Sequence, residues 1–130
     1  MIKTKSVYSP IDRKRDGLRI LATRFRGRYL PVSRYDIWMP NLAPSEALLK
    51  RTQNGLLTWG QFSRHYRKEL SEVGNVDKRN RVIKNHGQQF TLRLLQKLGR
   101  SQNVTLLCHC DEAQQQCHRH LLKEVLTTKI

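Results

Sequence analysis

Acidic residues are scarce in this chain of 130 residues: ten Asp and Glu stand against 25 Lys and Arg, for a formal net charge of +15. Repulsion at that level works against compactness, but it attracts polyanions and speeds their encounter. Nucleic acid is the commonest such partner, followed by nucleotides, acidic proteins and anionic membrane surfaces. A highly soluble protein with no specific anion can carry the same charge. Long apolar runs are also lacking, and none approaches membrane-spanning length, so no membrane association is expected. The first ten residues hold Lys3 and Lys5 with no apolar run behind them, which argues against a secretory signal. Cysteine is sparse and odd in number, with all three between 108 and 117. That is a poor disulfide framework for a secreted protein. A reducing cytoplasm is the expected setting, with the thiols free or metal-bound. Internal repeats and low-complexity segments are absent. The length suits one domain over residues 1–130, large enough to hold its fold without a metal or a disulfide.

The pattern along the chain alternates strands with helices. Ile2 to Val7 reads as a short edge strand, and Asp16-Gly17 as a turn. Leu18 to Phe25 reads as a buried strand. Arg24, Arg26 and Arg28 follow at alternate positions; if the chain stays extended they share one face. Pro31 to Pro44 reads as loop. Ser45 opens a helix to about Gln53, and Asn54-Gly55 breaks it. Thr58 and Gln61 form a capping box for a helix to about Val73, whose Trp59, Phe62, Tyr66 and Leu70 make a core-facing stripe. Phe90 to Leu98 gives a further helix, stopped by Gly99. Val104 to Cys108 reads as a buried strand, His109 to Gln116 as loop, and a last helix starts near Cys117. The fold class is therefore α/β, a small mostly parallel sheet flanked by helices in a single domain. Ligands of such sheets sit beyond the carboxyl ends of the strands. The strands ending near Phe25 and Cys108 are expected to be neighbours.

Three constellations could carry chemistry. Cys108, His109, Cys110, Cys117, His118 and His120 are six possible metal ligands within thirteen positions. Zinc suits mixed Cys/His ligation. Cys117 and His120 share a helical face, so the expected ligand set is Cys108, Cys110, Cys117 and His120. The spacing is not that of a common zinc finger, and a buried strand cysteine beside solvated histidines would look the same. Cys117 at a helix start, where the dipole lowers a thiol pKa, makes Cys117 and His118 the candidate catalytic pair. A phosphatase loop is disfavoured, because no cysteine has Arg six places on. The third constellation is an anion pocket of Arg24, Arg26, Arg28 and Arg119 at the start of the last helix; alternatively, these arginines hold loops. Finally, Lys78, Arg79, Arg81 and Lys84 lie in a stretch with no acid from Lys78 through Cys110, which suits phosphate contacts.

A family likeness runs through the same places. Tyr35-Asp36-Ile37-Trp38-Met39-Pro40-Asn41-Leu42-Ala43-Pro44-Ser45 resembles the L-D-x-W-x-K-x-L-A-P-S segment of the YeaO-like proteins, domain of unknown function 488. Arg24 and Arg28 fall on the two arginines of that family's V-D-R-x-W-P-R-G motif, although Thr23 replaces its Asp and Arg26-Gly27 its Trp-Pro. Phe62, Tyr66, Glu69 and Leu70 match its F-x-x-x-Y-x-x-E-L run. Cys108, Cys110 and Cys117-His118-Arg119 are similar to the Cys-x-Cys and Cys-His-Arg ending of one branch. The resemblance implies a cytoplasmic α/β fold and supplies no substrate.

The expected function is a binding or accessory module for nucleic acid or a phosphate-bearing ligand. The alternatives are a metal- or thiol-dependent enzyme on a nucleotide or nucleic-acid substrate, and a basic adaptor that binds an acidic protein.

Overall fold

The run Val-Thr-Leu-Leu-Cys is apolar at almost every position, which suits a strand covered on both faces. The computed structural model, which describes residues 1–71 and 88–128, has it in the interior of a four-stranded sheet. The strands are β1 (Ile2–Ser6), β2 (Leu18–Leu21), β3 (Ile37–Trp38) and β4 (Val104–Cys108), in the order β1-β4-β2-β3. Every pairing is parallel, and every residue of β4 is buried. Ile2 and Leu18 both lie opposite Val104, and Ser6 opposite Cys108. All four strands therefore end at one edge of the sheet. The strands of residues 18 and 104 are neighbours, as their patterns imply, and β1 is an edge strand.

Four helices build one face: α2 (Glu46–Gln53), α3 (Trp59–Ser71), α4 (Gln89–Ser101) and α5 (His118–Thr127). A shorter one, α1 (Arg13–Asp16), precedes β2. Ile20, Val104 and Leu106 meet Phe62, Tyr66, Leu70, Leu92, Leu95, Leu121 and Leu122 in the main core. Thr58 and Gln61 exchange the expected capping bonds, at 2.9 and 3.2 Å. Ser45 caps α2 by accepting from the Leu48 amide at 3.2 Å, and its own amide donates to Glu69 at 2.9 Å. Among the described residues, no helix is long and apolar enough to cross a membrane. Lys78, Arg79, Arg81 and Lys84 lie outside the described residues.

Four details differ from the sequence reading. β2 stops at Leu21 rather than Phe25. One more ladder bond follows, Ala22 to the Leu107 carbonyl at 2.9 Å, and then β4 ends. Thr23 instead bonds the Phe25 carbonyl and receives the Trp38 indole on its own, so the chain turns away and the arginines are not aligned on one face. Ile37–Trp38, read as loop, adds the short edge strand β3. Gly99 sits inside α4, where a Cβ would come within 2.5 Å of Ile2 Cδ1; it serves close packing rather than helix termination. The polar stretch before β2 forms α1, capped by Asp12 and closed by Gly17 at φ +63°.

The other face is smaller and holds a charge pair. Leu21, Leu107, Val7 and Leu30 cluster there. Beside them Arg19 and Asp16, both buried, form an ion pair that Lys5 joins at 3.2 Å from Asp16. Burial alone pushes the Asp16 carboxyl up, but the Asp12 amide, Lys5 and Arg19 together hold it below its ordinary value. A depressed carboxylate stabilises the fold above its unfolded pKa, and that contribution is lost as pH falls through the folded value. Asp16→Ala should cost about 3–5 kcal/mol in chemical denaturation at neutral pH, because Arg19 is left buried without its partner. The variant should also lose less stability on acidification than the parent. A cost under about 1 kcal/mol would mean that Arg19 finds compensation elsewhere.

Candidate functional site

The carboxyl edge of the sheet brings the three cysteines together. Cys108 is the last residue of β4, Cys110 lies two residues on, and Cys117 is the N-cap of α5. Their sulfur atoms all lie within 4.8 Å of one another, with Cys108 and Cys117 3.0 Å apart and unbonded. Cys108 and Cys117 are buried, while Cys110 is partly exposed. The Cys110 amide also donates to Cys108 Sγ at 3.3 Å.

Arg119 closes this cluster from below. Its side chain is buried, and its Nη1 donates to Cys108 Sγ at 2.8 Å and to the Cys110 carbonyl at 3.1 Å. Nη2 donates to the carbonyls of Asp111 at 2.9 Å and Glu112 at 3.3 Å. One side chain thus holds the whole loop between β4 and α5 in place. Among the described residues no carboxylate forms an ion pair with it. A buried cation needs a counter-charge, and the sulfur cluster is the group that touches it.

Three thiols this close cannot all ionise, so the charge settles where it is best stabilised. Hydrogen bonds from Cys108 and Cys117, followed by the attraction of His118 and Arg119, pull the Cys110 thiol far below its ordinary value. The same bonds, with Cys110 first, and burial push Cys108 well up. Cys117 is also raised: its bond with Cys108 favours the thiolate, but its bond with Cys110 and its burial outweigh that. The helix-start expectation of a lowered Cys117 thiol is not met: its bond with Cys110 and then its burial raise it, and the lowered thiol is Cys110.

His118 lies alongside. Its Nε2 bonds the Ala22 carbonyl, which can only accept, so Nε2 carries the proton in the neutral ring and Nδ1 keeps its lone pair. Nδ1 stands 4.0 Å from Cys117 Sγ. The ring meets Tyr66 edge-on at 5.8 Å, and burial holds its pKa below the ordinary value despite the Ala22 bond. His120 turns the other way, with Nε2 bonded to the Gln114 carbonyl at 3.0 Å, outside the sulfur group.

The arginines are spread around the rim. Arg24 donates to the carbonyls of Pro44 and Ala43, both at 3.0 Å, and so anchors the turn before α2. Arg26 bonds Tyr35 and donates to the Leu30 carbonyl at 2.6 Å. Arg28 is exposed. Arg24, Arg26 and Arg119 thus have protein partners, mostly backbone carbonyls, and Arg28 projects into solvent. Two further residues take places the sequence reading did not give them. His109 bridges the Phe25 carbonyl at 3.2 Å and the Tyr8 hydroxyl at 3.3 Å. Gly27, at φ +93°, passes so close that a Cβ would lie 3.0 Å from the His109 ring. Only the parallel register joins residues 8, 27 and 109. The Gly between two arginines was the one hint in the sequence.

In chelator-treated, reduced protein at about pH 6, iodoacetamide should modify Cys110 at least about tenfold faster than Cys108 or Cys117, read by peptide mass spectrometry. Preferential modification of Cys117 would reverse the charge assignment.

The sequence was also compared with known proteins. No curated protein and no solved structure matches it. A family model described as the active DUF488-N3 subclade matches residues 2–130, nearly the whole chain. The chain therefore belongs to the DUF488 family, of which the YeaO-like proteins are part.

Proposed function

We propose that this domain is a metal-thiolate enzyme acting on a nucleotide or nucleic-acid substrate, with Cys108, Cys110 and Cys117 holding a zinc-class ion. The observation that carries the reading is the convergence of three sulfur atoms within 4.8 Å against the buried Arg119. Three thiolates and a divalent cation sum to one negative charge, which the guanidinium offsets. Three protein ligands with a fourth position open is the arrangement of catalytic rather than structural zinc sites. Such an ion supplies Lewis acidity or an activated water. His118 supplies a neutral Nδ1 beside the cluster, with its tautomer fixed by Ala22. Since the domain has its own core, the ion is not needed to hold the fold. The subclade's description as active fits a site that performs chemistry. The substrate class rests on the net charge of +15, and a reducing cytoplasm keeps the three thiols available.

A second reading, a binding module without chemistry, draws on the same charge. Its phosphate contacts would include Arg28 and the basic stretch of Lys78, Arg79, Arg81 and Lys84. In that case affinity for nucleic acid falls steeply with salt and depends little on sequence.

Protein purified without chelator should carry about one zinc or iron ion per chain by elemental analysis. Cys110→Ser should lower that content at least tenfold while the chain still folds, and His120→Ala should leave it unchanged. Metal in fewer than about a tenth of the molecules, with all three thiols open to a thiol reagent, overturns the metal reading.

A further inference from the structure

Three aromatic rings stand in solvent at the carboxyl edge of the sheet, where a soluble domain gains nothing from them. Tyr8, Phe25 and Tyr29 are 64, 62 and 89% exposed. They come from different segments, after β1 and after β2. Tyr8 is held by its hydroxyl against His109 at 3.3 Å, with the two rings 6.0 Å apart. A cavity of about 280 Å³ opens between Tyr8 and Tyr29, lined also by Gly27, Arg28, Leu30, Pro31 and Arg34, and Phe25 stands outside that lining. No acidic residue lines it. Glu112, which reaches toward this side, is committed to the Ser6 amide at 2.8 Å and to the Ser9 hydroxyl. Arg34 shapes the wall by donating to the Val7 carbonyl at 2.7 Å and the Ser9 carbonyl at 2.8 Å. Of the two arginines that line the cavity among the described residues, Arg28 is the exposed one, turned to meet a ligand.

We propose that this rim is a binding surface for single-stranded nucleic acid, with bases stacked on Tyr8, Tyr29 and Phe25 and the backbone phosphates drawn to Arg28. The inference rests on the nucleic-acid reading above and narrows it. Exposed rings interleaved with cations are what a single strand needs, since every base has a face to stack and every phosphate a charge to place. A duplex hides its base faces, and its grooves admit a projecting helix or ribbon rather than a concave cluster of loops. His109 joins the two features: it touches Tyr8 and the Phe25 carbonyl on one side and is bonded in the chain to Cys108 and Cys110 on the other. The rim and the cysteine loop are thus joined through one residue.

The test is fluorescence anisotropy of the full chain at low salt. The probes are a labelled oligothymidine of about 15 nucleotides, a duplex of the same length and a polyglutamate peptide. Tyr8→Ala/Tyr29→Ala should weaken single-strand binding by about tenfold or more and leave duplex binding within about twofold. Tyr8→Phe/Tyr29→Phe, which keeps the rings, should restore it. Both rings are exposed, so matched thermal unfolding of the variants separates lost binding from lost folding. If the parent binds the single strand and the double-alanine variant binds it equally well, the surface is wrong while the nucleic-acid reading stands. If the parent binds polyglutamate more tightly than oligothymidine, and the alanine variant loses that binding, the rim takes an acidic protein instead. If the parent binds neither nucleic acid at low salt, both readings fall.

Discussion

A guanidinium group is buried in this domain with no carboxylate in ion-pair contact among the described residues, and much of the site follows from that one fact. Arg119 cannot leave its place, because its Nη2 holds the carbonyls of Asp111 and Glu112 and its Nη1 holds that of Cys110. Its charge must be met by something equally buried. Cys108 Sγ, at 2.8 Å, supplies the contact, and the neighbouring sulfurs share the charge. The loop geometry, the spacing of the thiols and their unequal acidity are therefore one arrangement. The cation adds to a lowering of the Cys110 thiol that comes first from its hydrogen bonds with Cys108 and Cys117.

The back of the sheet solves the same problem in the opposite way. Arg19 has a true acid, Asp16, delivered by the four-residue α1 and backed by Lys5. That set meets the Arg19 charge with a carboxylate, while one amino group, Arg19 Nη2, has no hydrogen-bond partner. Arg119 has no ion-paired carboxylate among the described residues and meets the sulfurs instead. The two arginines thus meet one burial problem with different chemistry.

Much of the architecture was legible in the sequence because it rests on local signals. The strand at Val104, the capping box at Thr58 and Gln61 and the stripe of Phe62, Tyr66 and Leu70 all follow from spacing alone. The convergence of the cysteines was legible too, since a strand end and a helix start so close in sequence can only fold back on each other. What could not be read depends on partners distant in the chain. The end of β2 is set by where β4 runs out, and Gly99 by the approach of Ile2. His120, at helical spacing from Cys117, pointed to ligation, but its ring is captured by Gln114 in the preceding loop. The low thiol fell to Cys110 rather than Cys117 because the hydrogen bonds among the three cysteines, which only the folded cluster sets up, favour the charge there.

The pairing of Ile2 and Leu18 with Val104 has a kinetic side. β1 and β2 do not bond each other; the strand that joins them is the last of the four in the chain. Loop closure over that distance must precede the joining of β1 to the sheet, and such non-local pairing slows folding. As the chain emerges in synthesis, β2 and β3 can pair with each other, but β1 waits until β4 arrives. The same arrival brings the first of the thiols into register. The complete sheet and the cysteine cluster are thus made together, and no partly made molecule presents the three sulfurs before their scaffold exists.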